Sequence, residues 1–206
     1  MIVEKCLQRS AEWLKIRCGK PTASNFKNIV TSTGKPASST VRAGYRNTLV
    51  AERMTGLTQG EGYVSPAMER GTLLESEARR WFAFEADESV TEVGFVWKDK
   101  SKLFGCSPDG ITTTGGIEIK CLEQKGHVAA LLRGKPPADH MVQIQACMWI
   151  TERSHWRFVL WTDVAGLPNV IWRIEPDEVM FAAFDEQLPK FCAEVADAVK
   201  QVKSMG

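Results

Sequence analysis

The sequence predicts an α/β (α+β) fold in which helices flank a central mixed β-sheet, and three observations lead there. Aromatic and β-branched runs of strand length come in two groups: SVTEVGFVW (89–97) with GIEIKCL (116–122), then WRFVLW (156–161) with NVIWRI (169–174). Segments with apolar residues at helical spacing lie before, between and after them. The order of helices, strands, helices, strands, helix is that of a layered fold with a mixed sheet. A chain of 206 residues, 44% hydrophobic and 25% charged, suits one globular domain with a substantial core.

Ser10 is placed to cap a short helix carrying Trp13, Leu14 and Ile16, ended by Gly19 and Pro21. Thr22 or Ser24 starts a second short helix with Phe26, Ile29 and Val30. TSTGKPASST (31–40) reads as a loop, and a helix then runs to about Met54 with Val41, Tyr45, Leu49 and Val50 inward and Gly56 as its stop. Gly56 to Pro66 is a glycine-rich flexible loop. The spacing next predicts a helix over 67–86 with Leu74, Ala78, Trp81 and Phe82 inward, then strands at 89–97, near Leu103 and at 116–122. Helices follow at about 125–133 and 139–151. Phe181 to Val202 closes the chain, with Phe184, Leu188, Phe191, Val195 and Val199 on one face. One domain, 1–206, is expected, comprising a basic helical part (1–56), a core (66–175) and a closing helix (177–206). No repeat or low-complexity tract interrupts it.

Composition excludes several classes. No apolar run reaches membrane-spanning or signal-peptide length, so a soluble, cytoplasmic protein is expected. The six cysteines, at 6, 18, 106, 121, 147 and 192, form no CxxC pair, and the three histidines are scattered. That spacing argues against zinc, iron–sulfur and disulfide frameworks, and for reduced, mostly buried thiols. The net charge of +1 hides a polarity. Met1 to Arg53 holds ten Lys/Arg against three Asp/Glu, while Glu61 to Glu92 holds three against eight and Ile174 to Gly206 three against seven. A polyanion surface on the first part is one reading of this asymmetry, and a solvated basic face is the other. Lys35, Arg42 and Arg46 fit a nucleic-acid track by charge alone.

The stretch GCSPDGITTTGGIEIKCL (105–122) carries the chemistry. On a strand the period of two puts Glu118 and Lys120 on one face and Ile117 and Ile119 on the other. The isoleucines can anchor the strand while the charged pair projects into a cleft. Asp109 lies in the turn sequence SPDG, and the threonine-rich segment closed by Gly115-Gly116 can fold back as a hairpin that brings Asp109 beside Glu118. Two carboxylates supply the hard oxygen ligands that gather Mg²⁺, which lowers the pKa of a water and offsets charge on a phosphoryl transition state. A lysine beside them can orient or help deprotonate that water and balance phosphate charge. A surface Glu–Lys pair on a half-exposed strand would give the same short pattern.

Taken in order along the chain, the motifs carry more. WLKIRCGKPTAS (13–24), RGTLLE (70–75), SPDG (107–110), EIKC (118–121) and Gln143-Ile-Gln145 before Met148-Trp149 together resemble the lambda exonuclease-like viral recombinase nucleases, the YqaJ group of the PD-(D/E)xK superfamily. The resemblance implies that Asp109 and Glu118 hold the metal, Mg²⁺ with Mn²⁺ able to substitute, and that the backbone carbonyl of Ile119 completes the inner shell. It gives Lys120 the attacking water, Glu75 a place on the adjacent helix acting on a metal-bound water, and Gln143 a reach into the site from a later helix. Gln143 and Gln145 are about 200° apart on a helix, so Gln145 meets another element.

Arg17 and Ser24 correspond to a pocket that grips a terminal 5′-phosphate, with Ser107 and Trp13 in the same DNA-binding group. The chemistry agrees, since a guanidinium binds phosphate bidentately and a serine at a helix start adds a hydroxyl and free N–H groups. Two readings of Trp13 stand, stacking on a base and packing in the core. Two also stand for Met68: an apolar wedge that parts the strands, and a buried side chain. The implied function is a metal-dependent 5′-to-3′ exonuclease on linear double-stranded DNA. It would release mononucleotides and leave 3′ overhangs for phage-type recombination in the cytoplasm of a bacterial host. A homotrimer and a single-strand annealing protein as partner come with the resemblance. The alternatives are an endonuclease or repair nuclease on the same core, disfavoured by the end-binding residues, and a non-catalytic DNA-binding module.

Overall fold

A computed structural model of the chain describes residues 1–59 and 66–206, with side chains in the third helix from residue 69 onward. The helices are α1 (Ala11–Arg17), α2 (Ser39–Thr55), α3 (Pro66–Glu85), α4 (Gln124–Arg133), α5 (Met141–Thr151) and α6 (Glu178–Lys203). The strands are β1 (Ile2–Glu4), β2 (Phe95–Trp97), β3 (Gly105–Cys106), β4 (Gly110–Ile111), β5 (Gly115–Lys120), β6 (His155–Leu160) and β7 (Val170–Ile174). Ser10 caps α1 as expected, its hydroxyl accepting from the Trp13 N–H. Residues 23–28 form a 3-10 turn that Thr22 precedes without a side-chain cap bond.

The expected mixed sheet is present: β4-β5-β6-β7, with β5 and β6 parallel and the other pairs antiparallel. The parallel step needs a long crossover, and α4 and α5 supply it. A second, three-stranded sheet, β1-β2-β3, was not expected. It splits the run 89–97: Thr91 bridges Ile111 beside the mixed sheet, whereas only Phe95–Trp97 pairs with β1 and β3. Gly94 divides the two, because a Cβ there would lie 2.1 Å from the Cys6 carbonyl oxygen. The strand expected near Leu103 is Gly105–Cys106, and Leu103 itself is exposed.

α5 is buried nearly all round, which is why its sequence lacks an amphipathic stripe. It packs on the 23–28 turn, and Phe26, Phe104, Trp149 and Phe184 meet edge to face or stacked around it. α6 buries Phe184, Leu188, Phe191 and Val195 completely, as its spacing predicts. α2 buries Tyr45, Leu49 and Val50, but Val41, expected inward, is exposed in the first turn. A separate cluster joins Ala78 and Phe82 of α3 to Ile117 and Ile119 of β5 and Val159 of β6. All six cysteines are free, three buried and three half-buried. Among the described residues no helix is long and apolar enough to cross a membrane.

Candidate active site

Register builds the site. β5 alternates as read from the sequence: Ile117 and Ile119 pack beneath α3, and Glu118 and Lys120 face away from them toward α5. Gly110 pairs with Ile117 across the β4–β5 hairpin, so Asp109 arrives beside Glu118. Its Oδ2 accepts the Ile119 N–H at 2.7 Å. The hairpin needs its glycines, since a Cβ at Gly116 would lie 2.3 Å from the Trp156 ring and one at Gly110 2.3 Å from Val90.

Glu118 is only 1% exposed. Its Oε1 accepts from Lys120 Nζ at 2.5 Å and from Gln143 Nε2 at 2.8 Å, whereas its Oε2 is buried with no hydrogen-bond partner. A buried carboxylate oxygen left unpartnered beside a second carboxylate is costly unless a cation completes it. Among the described residues no three His, Cys, Asp or Glu side chains come together as a metal cluster. Mg²⁺ does not require one, because it is commonly held by one or two carboxylates and keeps several waters. Asp109, Glu118 and the Ile119 main chain therefore fit that ion.

The electrostatics agree with a site built for a cation. Burial first, then the Glu118 charge, push the Asp109 carboxyl up to about 7, with Lys120, the Ile119 N–H and Arg79 offsetting part of the rise. Burial works against the Lys120 ammonium, but Glu118 and Asp109 outweigh it and hold the charge more firmly than in water. Glu75 is raised, by burial first and by Asp109 second. These groups open into a cleft of about 1040 Å³ lined by Arg9, Leu73, Glu75, Asp109, Lys120 and Leu122, among others.

Glu75 comes from α3 and is held at both oxygens, by Arg79 at 2.8 Å and Arg9 at 3.2 Å. Arg79 also donates to the Asp109 carbonyl at 2.9 Å and pairs with Glu92 at 2.9 Å. Sequence reasoning missed Arg79, although its spacing of four from Glu75 on a helix was a signal. It also missed Arg9 and Gln8, which nothing local marks. Gln143 reaches Glu118 as expected, and Gln145 turns to the β7–α6 connection, donating to the Glu175 carbonyl at 2.8 Å and accepting from the Asp177 N–H at 2.9 Å.

The end-binding residues are only partly brought together. The Trp13 indole N–H donates to Ser107 Oγ at 2.8 Å and to the Gly94 carbonyl at 3.2 Å, and Arg17 lies 3.9 Å over its ring. Arg17 also donates to Ser107 Oγ at 3.4 Å, two residues before Asp109. Trp13 is thus buried beside Phe95 and Trp97, and Arg17 covers a face that base stacking would need. Ser24 is exposed and meets Thr22 Oγ1 at 3.3 Å. Arg42, one of the three residues of the charge-based track, pairs bidentately with Glu194, at 2.8 and 3.1 Å, and lies over Phe191. Arg46 bonds Asn47 at the surface and Lys35 is exposed. The Met68 side chain and most of the glycine-rich loop lie outside the described residues.

The mixed sheet flanked by helices, with two carboxylates and a lysine brought together at its β4–β5 hairpin, is a core of the PD-(D/E)xK kind. The chain belongs to the YqaJ-like viral recombinase family, whose domain matches residues 12–154. It is similar to an alkaline exonuclease, LHK-Exo, from Laribacter hongkongensis, at 33% identity over 95% of this chain and 97% of that one, with a TM-score of 0.84. The structure of LHK-Exo in complex with dAMP superposes with a TM-score of 0.85 over the same shares at the same identity. A phage related exonuclease from Haemophilus somnus 129PT, at 14% identity over 91% of this chain and 96% of that one, shares the fold with a TM-score of 0.66. None of the curated proteins matches. Membership of this family makes the chain a nuclease acting on DNA.

Proposed function

We propose that the protein is a Mg²⁺-dependent exonuclease, with Mn²⁺ able to substitute, that loads on the end of linear double-stranded DNA. It digests the 5′-ended strand to mononucleotides and leaves a 3′ overhang for phage-type recombination. The observation that carries the reading is the Glu118 carboxylate, one oxygen fixed by Lys120 and Gln143 and the other buried and unpartnered beside Asp109.

Asp109, Glu118 and the Ile119 carbonyl would hold the ion, which supplies an acidified water and neutralises charge on the phosphoryl group. Gln143 keeps Glu118 turned toward Asp109. Lys120, held cationic between the two carboxylates, orients the attacking water and balances phosphate charge. Glu75, raised and facing the cleft, receives or returns a proton on the water side. Arg17 and Ser107, linked through one hydrogen bond beside Asp109, would grip the 5′-phosphate together with Ser24. The part up to residue 56 then serves the DNA end, 66–175 the chemistry, and 177–206 closes the core. Association as a homotrimer, work beside a single-strand annealing protein and a place in the host cytoplasm belong to the same reading.

The test compares four substrates in Mg²⁺: linear duplex with 5′-phosphate, linear duplex with 5′-hydroxyl, nicked circle and covalently closed circle. The 5′-phosphorylated linear duplex should be digested fastest, to mononucleotides, and the closed circle should survive. Cutting of the closed circle would establish an endonuclease instead.

A further inference from the structure

The cleft walls carry Glu69, Glu75, Asp109 and Glu123 against Arg9, Lys120 and Lys125. A phosphate approaching Asp109 therefore needs a cation whose present contact is easily exchanged. Lys120 is committed to Glu118 at 2.5 Å. Arg79 is 13% exposed and serves Glu75, Glu92 and the Asp109 carbonyl together. Arg9 differs. Its side chain is 56% exposed and pairs with Glu75 at 3.2 Å. Only the Arg9 end of this pair is open to solvent, Glu75 being 17% exposed, and Arg79 holds the other Glu75 oxygen at 2.8 Å, so Glu75 keeps a partner when Arg9 moves.

The backbone shows that this placement is built. Gln8 donates to the Val93 carbonyl at 2.9 Å and to the Pro108 carbonyl at 2.8 Å, pinning the N-terminal segment to the residue before Asp109. Ser10 is pinned in turn, its Oγ donating to the Leu7 carbonyl at 2.6 Å while capping α1. Between these two anchors Arg9 adopts φ +66°, the left-handed region that favours glycine. An arginine kept there tolerates backbone strain that glycine would relieve, and its guanidinium overhangs the catalytic cleft.

We propose that Arg9 is a substrate-contacting residue, leaving Glu75 for a backbone phosphate of the DNA strand in the cleft. A guanidinium offers that phosphate two parallel N–H donors, and Gln8 fixes its distance from Asp109. The inference rests on the DNA-nuclease reading of the cleft.

Arg9→Gly separates this role from a structural one, because it removes the guanidinium while relaxing the backbone. Affinity for a linear duplex end would be measured in EDTA across salt concentrations, digestion in Mg²⁺, and thermal melting, for wild type, Arg9→Gly and Arg9→Lys. In Arg9→Gly, affinity should fall about tenfold, the slope of log affinity against log salt should shrink by about one, KM for the duplex end should rise in step, and the melting temperature should stay near wild type. Arg9→Lys should keep the salt slope. Unchanged affinity and slope, a loss confined to kcat (Arg9 acting through Glu75), or a marked drop in melting temperature would each overturn the proposal. Asp109→Asn, run alongside, should abolish digestion. If it digests normally the catalytic reading fails, and the Arg9 binding result is still read independently.

Discussion

The basic N-terminal part and the catalytic hairpin use charge in opposite ways. In the first, some of the cations are engaged inside the fold and away from the cleft: Arg42 on Glu194 and Arg53 on the Gly19 carbonyl at 2.7 Å. In the second, few charges are present, yet one carboxylate oxygen is sealed in the core without a partner. A count of charges along a segment thus says little about where a polyanion binds. A buried carboxylate oxygen left without a hydrogen bond says more, because desolvation makes it expensive to keep for no purpose. Substitutions in the two parts should separate in the same way.

The largest effect should come from Asp109→Asn. Digestion should fall by about a thousandfold or more, since the ion loses a ligand. The metal-free protein should nevertheless become more stable. The Asp109 carboxyl is held up to about 7 by burial and by Glu118, so its charged form is disfavoured in the folded chain relative to the unfolded one. The stability of the metal-free wild type should therefore decline as pH rises from about 4 through about 7, and Asn should flatten that decline. Mg²⁺ should raise the melting temperature of the wild type and leave Asp109→Asn unmoved. Thermal melting from pH 4 to 8, with and without Mg²⁺, checks all three; a wild-type pH profile in Asp109→Asn would remove the electrostatic account of the centre.

Two glutamines on one helix sharpen the comparison at intermediate size. Gln143→Ala should lower kcat by about ten- to a hundredfold with little change in stability, because it orients Glu118 from a half-buried position. Gln145→Ala should do the reverse. That side chain is 2% exposed and serves both a carbonyl and an N–H of the β7–α6 connection, so its loss should cost about 1–3 kcal/mol and leave kcat near wild type. Denaturant melts and single-turnover digestion of both variants decide whether site and scaffold divide across this helix.

How much of this was legible in the sequence depended on the distance over which each contact acts. The side-chain period of a strand put Glu118 and Lys120 together, the SPDG turn and the paired glycines brought in Asp109, and helical angles parted Gln143 from Gln145. Each rests on a repeat of a few residues. Arg9 reaches Glu75 across 66 residues and Arg79 reaches the Asp109 carbonyl across 30, both through tertiary packing, and only the Arg79–Glu75 pair, four apart on α3, left a local trace. The second sheet was missed for the same reason. The run 89–97 reads as one strand, and what breaks it is the approach of Cys6 to Gly94 from far away in sequence.

Arg42 gives the smallest effect and the most direct trial of the N-terminal half of the comparison. If its guanidinium is structural, Arg42→Ala should cost about 1 kcal/mol, a figure kept low by the exposure of Glu194, 41% against 14% for Arg42. Arg42→Met, which keeps the apolar stem over Phe191, should recover part of that loss. Neither should change the affinity for duplex ends by more than about twofold, or the salt dependence of binding, since a phosphate-contacting cation would reduce the salt slope by about one. A shallower slope in Arg42→Ala would return this arginine to the DNA surface and show that the Glu194 pair opens when DNA arrives. The charge count of the N-terminal part would then have been informative after all.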